Sequence, residues 1–510
     1  MSLKSLAKDT AVYGLSSIVG RFLNWCLVPL YVYLFPTEEY GIVTYLYGVT
    51  AVMLVILNYG METGFFRFAN KEQEPEKVYT TCLISVGVTS LLFIALLCVF
   101  LNPITGAMKL KGYSLFVLLI GITVAVDAFS NLPFAYLRYK NRAWRFAGIK
   151  LLNVGFNIGL NLFFLLVCPR IESETPGLID WFYGALGGKS FGIGWIFVAN
   201  IISTFLVLIL LLPELLGRRY SFAWSLLRRI LAYSWPLLIL AIAGMLSQNM
   251  GQLLIPYLFS DEEAARSMVG IYGANMKIAI VMVMFTQAFR YAYEPFIFAQ
   301  AKQAGEDNRQ MYADAMKYFV IFGFLIFLGV MFYLPVLKYF ISPDYWNGLD
   351  VVPLMMLAEL CFGVFFNLSL WYKLTDRTRW GMYLSLICFA VMAGLNIWWV
   401  PLIGIPQGYM GSAWAALVSY FVVMLLSWFL GRVYYPIPYP VGRMAVYAAV
   451  ALIFFLAGML METAFPDWVT YSLRTFMLLL YAVIVSMFEN VPVITPILRK
   501  FISGRSRLAG

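Results

Sequence analysis

Five basic residues lie inside long apolar stretches of the sequence, where an isolated charge is costly. Two of them, Lys150 and Arg474, lie near helix ends, and we expect them to reach the membrane surface. Of the other three, Arg21 falls near the middle of the first stretch, and Lys277 and Arg290 fall in the eighth. An arginine or lysine at the centre of a bilayer costs about 2.5–3.5 kcal/mol even on the lenient insertion scale. We therefore expect these cations to face a wet cavity and to bind an anion there. The alternative is a structural ion pair, which Arg290 could form with Glu294 at helical spacing.

The acidic residues in apolar stretches are candidates for coupling transport to an ion gradient. They are Glu62, Asp127, Glu294 and Glu359. Asp127 shares its helical face with Thr123 and Ser130, so we expect this face to point away from lipid. A carboxylate in a low-dielectric cavity can exchange protons near neutral pH, which suits proton- or sodium-coupled transport. The open alternative is that each acid pairs with a basic residue across the cavity, such as Arg21 or Lys277.

Uncharged polar side chains form rows at helical spacing on several of the same stretches. Such rows either bind neighbouring helices together or line an aqueous path that accepts sugar hydroxyls. We interpret them as cavity lining. The residues concerned are Ser17, Asn24, Asn153, Asn157, Asn161, Gln248, Asn249, Gln252 and Gln287.

The residue inventory excludes several kinds of chemistry. The sequence contains no histidine, and none of its six cysteines forms a CxxC pair. Imidazole catalysis, zinc ribbons and a disulfide framework are therefore excluded. We expect no metal or cofactor, apart from H+ or Na+ as a coupling ion. Since no outer loop is long enough for a catalytic domain, we expect a transporter and not an enzyme.

The elements that position these residues are membrane-spanning helices. Of the 510 residues, 62% are hydrophobic and only 12% are charged, which is typical of a chain dissolved in lipid. Runs of about 20 apolar residues predict an all-α polytopic membrane protein with fourteen spans. The predicted spans are 10–34, 41–69, 79–101, 113–138, 145–167, 192–212, 230–259, 268–298, 313–341, 349–373, 380–399, 409–431, 442–464 and 469–488.

The charge distribution predicts the orientation of the chain. The sequence has 36 Lys and Arg against 26 Asp and Glu, giving a net charge of +10. Most basic residues fall in alternate loops and in the tails, and the positive-inside rule places those segments in the cytoplasm. Both termini are then cytoplasmic, including a basic tail at 489–510. These clusters set topology and contact anionic membrane lipids, so we expect no nucleic-acid partner.

An internal repeat divides the sequence. Residues 33–35 and 257–259 both read YLF, each followed by a Glu-Glu pair and then by Gly-Ile. Six helices separate the two copies, so both begin on the same side of the membrane. We predict two six-helix lobes related by an axis along the membrane normal, at 1–219 and 220–440, with two further helices at 441–488. Paired lobes around a central site are a common transporter plan.

Two segments carry a resemblance to a known family. They run from Gly20-Arg21-Phe22 to YLFPTEEYGIVTYLYG at 33–48, and through VGIYGANMKIAIVMVMFTQAFRYAYEPFIFAQ at 269–300. The sequence resembles the polysaccharide (Wzx-type O-antigen and capsule) flippases of the multidrug/oligosaccharidyl-lipid/polysaccharide exporter (MOP) superfamily. The resemblance implies a MATE-like fold with alternating access between the lobes. It also implies a cationic cavity, with Arg21, Lys277 and Arg290 at the matching positions.

The resemblance further implies the cargo and the location. The expected cargo is an undecaprenyl-diphosphate-linked oligosaccharide, carried across the bacterial inner membrane beside the polymerase and glycosyltransferases of its pathway. Many such flippases have an acidic-basic pair late in helix 7, where this chain has Gln248-Asn249. We therefore expect no ion coupling at that point. The rival functions are a cation-coupled multidrug exporter and a membrane glycosyltransferase or O-antigen polymerase.

Overall fold

The computed structural model describes residue 14 and residues 18–489, apart from 176, 178, 218, 303–308, 376 and 378. The side chains of 292, 294–302 and 462–464 are also outside the description. The long apolar helices are numbered in chain order. They are α1 (Ile18–Leu34), α2 (Thr37–Ala69), α3 (Pro75–Val99), α4 (Ser114–Tyr139), α5 (Ala143–Glu174), α6 (Gly194–Leu210), α7 (Trp224–Leu258), α8 (Glu262–Lys302), α9 (Arg309–Phe332), α10 (Val351–Leu374), α11 (Arg379–Ile403), α12 (Tyr409–Tyr434), α13 (Val441–Ala464) and α14 (Asp467–Glu489).

The predicted all-α membrane fold is confirmed. Twelve of the helices in the described chain are long and apolar enough to cross a bilayer, and the described residues contain no strand. The other two, α1 and α6, have the predicted positions but are shorter apolar helices. A total of fourteen spans therefore remains a prediction.

Two helices begin earlier than predicted, for the same physical reason. The Glu-Glu pairs of the repeat, which we placed in loops, form the first turns of α2 and α8. Carboxylates at a helix N-terminus face the positive end of the helix dipole and stabilise the first turn. The Glu-Glu pair in each copy of the repeat therefore begins a helix.

The chain divides into two compact units whose boundaries differ from those of the predicted lobes. The first comprises 1–277, 341–348 and 379–419, and the second comprises 278–340, 349–378 and 420–510. In the first unit, α7 packs along α2 and α11. The predicted lobes at 1–219 and 220–440 remain a prediction, and the basic tail from residue 490 lies outside the described residues.

In the first unit, the two copies of the repeat meet at their glycines. A Cβ on Gly41 of α2 would overlap the backbone carbonyl of Arg266, and a Cβ on Gly270 of α8 would overlap that of Thr37. The hydroxyl oxygens of Thr37 and Ser267 lie 2.8 Å apart beside this crossing. Because the contact is reciprocal, it has the form expected of elements related by a twofold axis. In the predicted orientation, it joins the outer ends of α2 and α8.

In the second unit, polar contacts fix α13 and α14 against α9. Arg474 of α14 is buried, and it donates to the carbonyl of Gly458 over 2.8 and 3.2 Å and to that of Phe332 over 3.2 Å. Phe332 ends α9, so the guanidinium caps a helix C-terminus. The expectation that Arg474 reaches the membrane surface is wrong, because backbone carbonyls satisfy it inside the protein. At the other end of α14, Glu489 pairs with Lys317 over 2.5 Å.

Candidate functional site

The candidate cation Lys277 lies on α8 in the first unit and is half-buried. Trp25 of α1 donates its indole N–H to the backbone carbonyl of Lys277 over 2.7 Å. Arg21 precedes Trp25 by one turn on the same face of α1, and it is exposed. The helices that carry these two predicted cations therefore touch at Lys277. Within the described part of the chain, no carboxylate forms an ion pair with Lys277.

The third candidate cation, Arg290, lies on α8 in the second unit. Its guanidinium carbon is 4.3 Å from the ring centre of Phe366, and the Lys373 ammonium is also 4.3 Å from that centre. The face of an aromatic ring attracts a cation through its quadrupole. Two positive groups from α8 and α10 thus converge on one ring. The alternative pairing of Arg290 with Glu294 concerns a side chain outside the description.

Asp127 is the candidate acid with the richest surroundings. It lies midway along α4, where it accepts a hydrogen bond from the Thr204 hydroxyl of α6 over 3.2 Å. Its main electrostatic partner is Lys150 of α5, whose ammonium lies 4.1 Å from the ring centre of Phe134. Lys150 is half-buried and interacts electrostatically with this carboxylate, so it does not extend freely to the membrane surface as predicted.

The other candidate acids have simpler surroundings. Glu62 of α2 forms an ion pair with Arg138 of α4, not with Arg21 or Lys277 as we suggested. Glu359 of α10 is half-buried in the second unit and has no charged partner among the described residues. The described chain also contains no group of three or more acidic or cysteine side chains that could hold a metal ion.

The amide row of α5 is part of a hydrogen-bonded network. Asn157 donates to Asn200 over 2.6 Å and to Ser203 over 3.2 Å, both on α6. Asn161 donates to the Asn157 side chain and accepts from the Tyr31 hydroxyl of α1 over 2.9 Å. These bonds join α1, α5 and α6, so the amide row holds these three helices together.

The remaining predicted lining residues are dispersed. Asn24 and Gln248 are exposed, whereas Gln287 is half-buried on α8. Asn249 donates to the carbonyl of Met245 within α7, and the Gln252 amide lies 3.7 Å from the Met276 sulfur. Asn153 has a buried side-chain oxygen without a hydrogen-bond partner in the described structure. Ser17 lies outside the described residues.

Several participants were missed in the sequence. Asn200, Ser203 and Thr204 follow i, i+3, i+4 spacing on α6, which marks one polar helix face and could have been detected. Lys373 stands beside a loop rich in basic residues, and in the sequence it indicates only the orientation of the chain. Only tertiary contact with Phe366 associates it with Arg290.

The fold is shared with solved structures of membrane transporters. The chain is similar to a structure of the lipid II flippase MurJ in an inward closed conformation, with a TM-score of 0.71 and 14% identity over 95% of this chain and 99% of that one. It is also similar to an inward-facing MATE multidrug transporter of the MOP superfamily, with a TM-score of 0.61 and 14% identity over 81% and 94% of the two chains. A MOP transporter from Pyrococcus furiosus matches with a TM-score of 0.53 and 13% identity over 84% and 95%. The chain thus has the MATE-like fold of membrane transporters.

The family comparison is more specific. Residues 6–143 match the family model described as polysaccharide biosynthesis protein. No curated protein sequence matches the chain. This match over residues 6–143 agrees with the resemblance to the polysaccharide branch of the MOP superfamily, and the solved structures show the shared fold.

Proposed function

We propose that this protein flips an undecaprenyl-diphosphate-linked oligosaccharide, such as an O-antigen, capsule or exopolysaccharide repeat unit, across the bacterial inner membrane. Transport proceeds by alternating access from the cytoplasmic leaflet and is driven by a proton or sodium gradient. The family match to polysaccharide biosynthesis and the fold shared with a lipid II flippase support this proposal. The observation that carries it is Lys277, a cation within a membrane-spanning helix that has no carboxylate partner among the described residues.

Charge chemistry connects this lysine with the cargo. A diphosphate is a compact anion, and its attraction to a cation increases steeply where water is excluded. An ammonium already paired with a carboxylate would have to exchange that partner for the diphosphate. Lys277 requires no such exchange, and Trp25 holds α1, which carries Arg21, against the same point of α8.

The cation pair of the second unit supports the same cargo. Arg290 and Lys373 converge on Phe366 from two helices. Two cations at one ring can each contact one phosphate of a diphosphate. In the predicted orientation, Lys373 lies near the cytoplasmic side, where lipid-linked sugars are made.

Cation-coupled multidrug export is a second candidate function. The similarity to MATE multidrug transporters favours it, as does Glu359, a carboxylate without a charged partner among the described residues. Such an exporter binds cationic drugs, so removing a positive charge from the cavity would increase its affinity for them. The two functions therefore predict opposite effects of neutralising Lys277.

Replacement of the chromosomal gene by Lys277→Gln tests the proposal. We expect surface glycan to fall at least tenfold and lipid-linked glycan to accumulate inside the cell, with unchanged protein level. Lys277→Arg keeps the charge and should retain export. Lys189→Gln, in an exposed outer loop, is the matched control. Normal surface glycan in the Lys277→Gln strain would refute the role of this cation in glycan export.

A further inference from the structure

The two copies of the YLF repeat end their helices in the same way. α1 ends at Leu34 and α7 ends at Leu258. The next residue has an extended backbone in both copies, with φ and ψ of −118° and 140° at Phe35 and of −127° and 147° at Phe259. The carbonyl of such a residue lies beyond the hydrogen bonds of the helix, so it needs a donor from elsewhere. In both copies that donor is a side chain.

Each donor comes from the other half of the sequence. The Phe35 carbonyl accepts a hydrogen bond from the Tyr345 hydroxyl over 2.9 Å, and the Phe259 carbonyl accepts one from the Lys109 ammonium over 3.0 Å. Tyr345 lies in the loop between α9 and α10, and Lys109 lies in the loop between α3 and α4. These loops are six helices apart, as are the copies of the repeat. The two contacts are therefore a swapped pair within the first unit, and we call them the outer clasps.

Lys109 occupies a backbone position that usually belongs to glycine. It follows the short helix Leu101–Ala107 and has a φ of +55°. Its own N–H bonds to the carbonyl of Gly106, and the N–H of the next residue bonds to that of Thr105. This pattern ends a helix with a residue in the left-handed conformation, where glycine is favoured and other residues are strained. Glycine would suit the loop better, so what the lysine adds is the ammonium on Phe259.

Tyr345 is fastened to its own half and reaches into the other. The Asn275 side chain of α8 donates to the backbone carbonyl of Tyr345 over 2.9 Å. The Tyr345 side chain is buried, and its ring meets that of Tyr40 on α2 edge-on, with centres 5.8 Å apart. Moving α2 away from this loop would expose the ring and break the bond to Phe35. The contact therefore opposes separation of the two halves at this end.

The outer clasps lie beside the glycine crossing of α2 and α8. Lys109 lines a small cavity with Gly41 of α2 and Arg266 of α8. The Tyr345 ring contacts Tyr40, which directly precedes Gly41. The clasps therefore hold the same helix ends as the glycine contact. A donor and an acceptor that are pulled apart while still buried lose more free energy than the bond itself contributes.

We propose that the outer clasps form a latch that keeps this end of the transporter closed, and that both must release before cargo leaves on this side. The inference rests on alternating access, which belongs to the proposed function. In the predicted orientation, this end faces away from the cytoplasm, so the latch closes the exit. Because the donors are swapped between the halves, one separation of the halves breaks both bonds. A bond within one half would survive that movement.

Labelling of a buried reporter cysteine tests the latch. The Thr44 side chain of α2 is buried against Gly273 of α8, one turn inward of the glycine crossing. Thr44→Cys is introduced into the full chain with the six native cysteines replaced by alanine. Spheroplasts are then treated with a membrane-impermeant thiol reagent, which reaches the reporter only while the outer end is open. The measured quantity is the labelling rate relative to the parent with both clasps.

Each clasp variant should raise this rate. We expect about a 2- to 12-fold increase for Tyr345→Phe, the factor that corresponds to the net contribution of one hydrogen bond. Lys109→Met should raise the rate at least as much. The double variant should multiply the two factors, because one opening breaks both bonds. Lys109→Gly relieves the strained backbone but removes the ammonium, so it should label like Lys109→Met.

Two matched controls leave the swapped bonds intact. Tyr409→Phe removes a hydroxyl that bonds to the carbonyl of Asn347, in the same loop as Tyr345, over 2.8 Å but within one half. Lys111→Met removes an exposed ammonium from the loop of Lys109. Both should label at the parent rate. The parent rate in Tyr345→Phe, Lys109→Met or Lys109→Gly, or an equal increase in Tyr409→Phe, would overturn the latch. Because no glycan enters the measurement, its result is independent of whether the cargo is correct.

Discussion

The glycine contact between α2 and α8 makes a quantitative prediction about the conformational equilibrium. Replacing Thr37 and Ser267 by cysteine places two thiols where hydroxyl oxygens lie 2.8 Å apart. A disulfide requires an S–S distance of about 2.05 Å and a Cβ–Cβ distance of about 3.5–4.5 Å. We therefore expect this cysteine pair to cross-link rapidly on oxidation. Adding Gly41→Ala should slow the reaction.

The expected size of the effect follows from the packing. A Cβ at residue 41 overlaps the carbonyl of Arg266, so α2 and α8 must separate to admit it. Forcing an extra methyl-sized group into a packed contact costs about 1–3 kcal/mol. Since about 1.4 kcal/mol is a factor of ten in an equilibrium constant, the contact should become about 5- to 150-fold less favourable. The cross-linking rate should fall by up to the same factor.

The assay uses the full chain in native membranes, with its six native cysteines replaced by alanine. Oxidant is added, samples are quenched over time, and the remaining free thiols are counted by gel shift with a thiol-reactive polymer. Gly148→Ala is the matched control, because a Cβ at Gly148 would meet nothing within 4 Å. Reductant should restore both thiols in every variant.

Two results would refute this reasoning. If the cysteine pair never cross-links in membranes, the outer ends of α2 and α8 are not in contact in the populated state. If Gly41→Ala cross-links as fast as Gly148→Ala, the glycine is not what permits the close approach. A reduced rate confined to Gly41→Ala supports the contact.

Two further predictions concern the attachment of the last helices. Arg474→Met should lower the free energy of unfolding by about 1–3 kcal/mol because it removes three charge-assisted hydrogen bonds. Thermal unfolding in detergent measures this loss. An equal loss in the control variant Arg432→Met, at an exposed position, would contradict the prediction. Lys317→Met should lower the free energy of unfolding by about 3 kcal/mol because it removes the main partner of the buried Glu489. Adding Glu489→Gln should restore part of that loss. Additive losses in the double variant would show that the two residues are not coupled.

The sequence predicted much of the fold because the bilayer imposes strict rules. Backbone groups in lipid must be satisfied within the chain, so long apolar stretches become helices. The limits of α4, α13 and α14 agree with prediction to within about two residues, which is good agreement for helix ends. The predicted starts of α2 and α8 are several residues too late. The polarity of the Glu-Glu pairs indicates a loop, but their negative charge stabilises the first turn of a helix.

The sequence also identified which charges are unusual, without identifying their partners. Arg21, Asp127 and Lys277 stand out because each lies far from a polar loop, and this depends on chain position alone. Whether such a charge is paired depends on helices distant in sequence. Trp25 is separated from Lys277 by 252 residues, and Asp127 from Thr204 by 77.

By itself, the sequence determined the membrane class, the helical elements, the repeat and which charges lie within apolar stretches, because hydropathy and charge are local properties. Tertiary structure decided how those charges are used. It brought Lys150 within electrostatic reach of Asp127, joined Glu62 to Arg138, and brought Lys373 and Arg290 to one ring. The physical reason is that the energy of a buried charge depends on neighbours within a few ångströms, and only helix packing determines which neighbours those are.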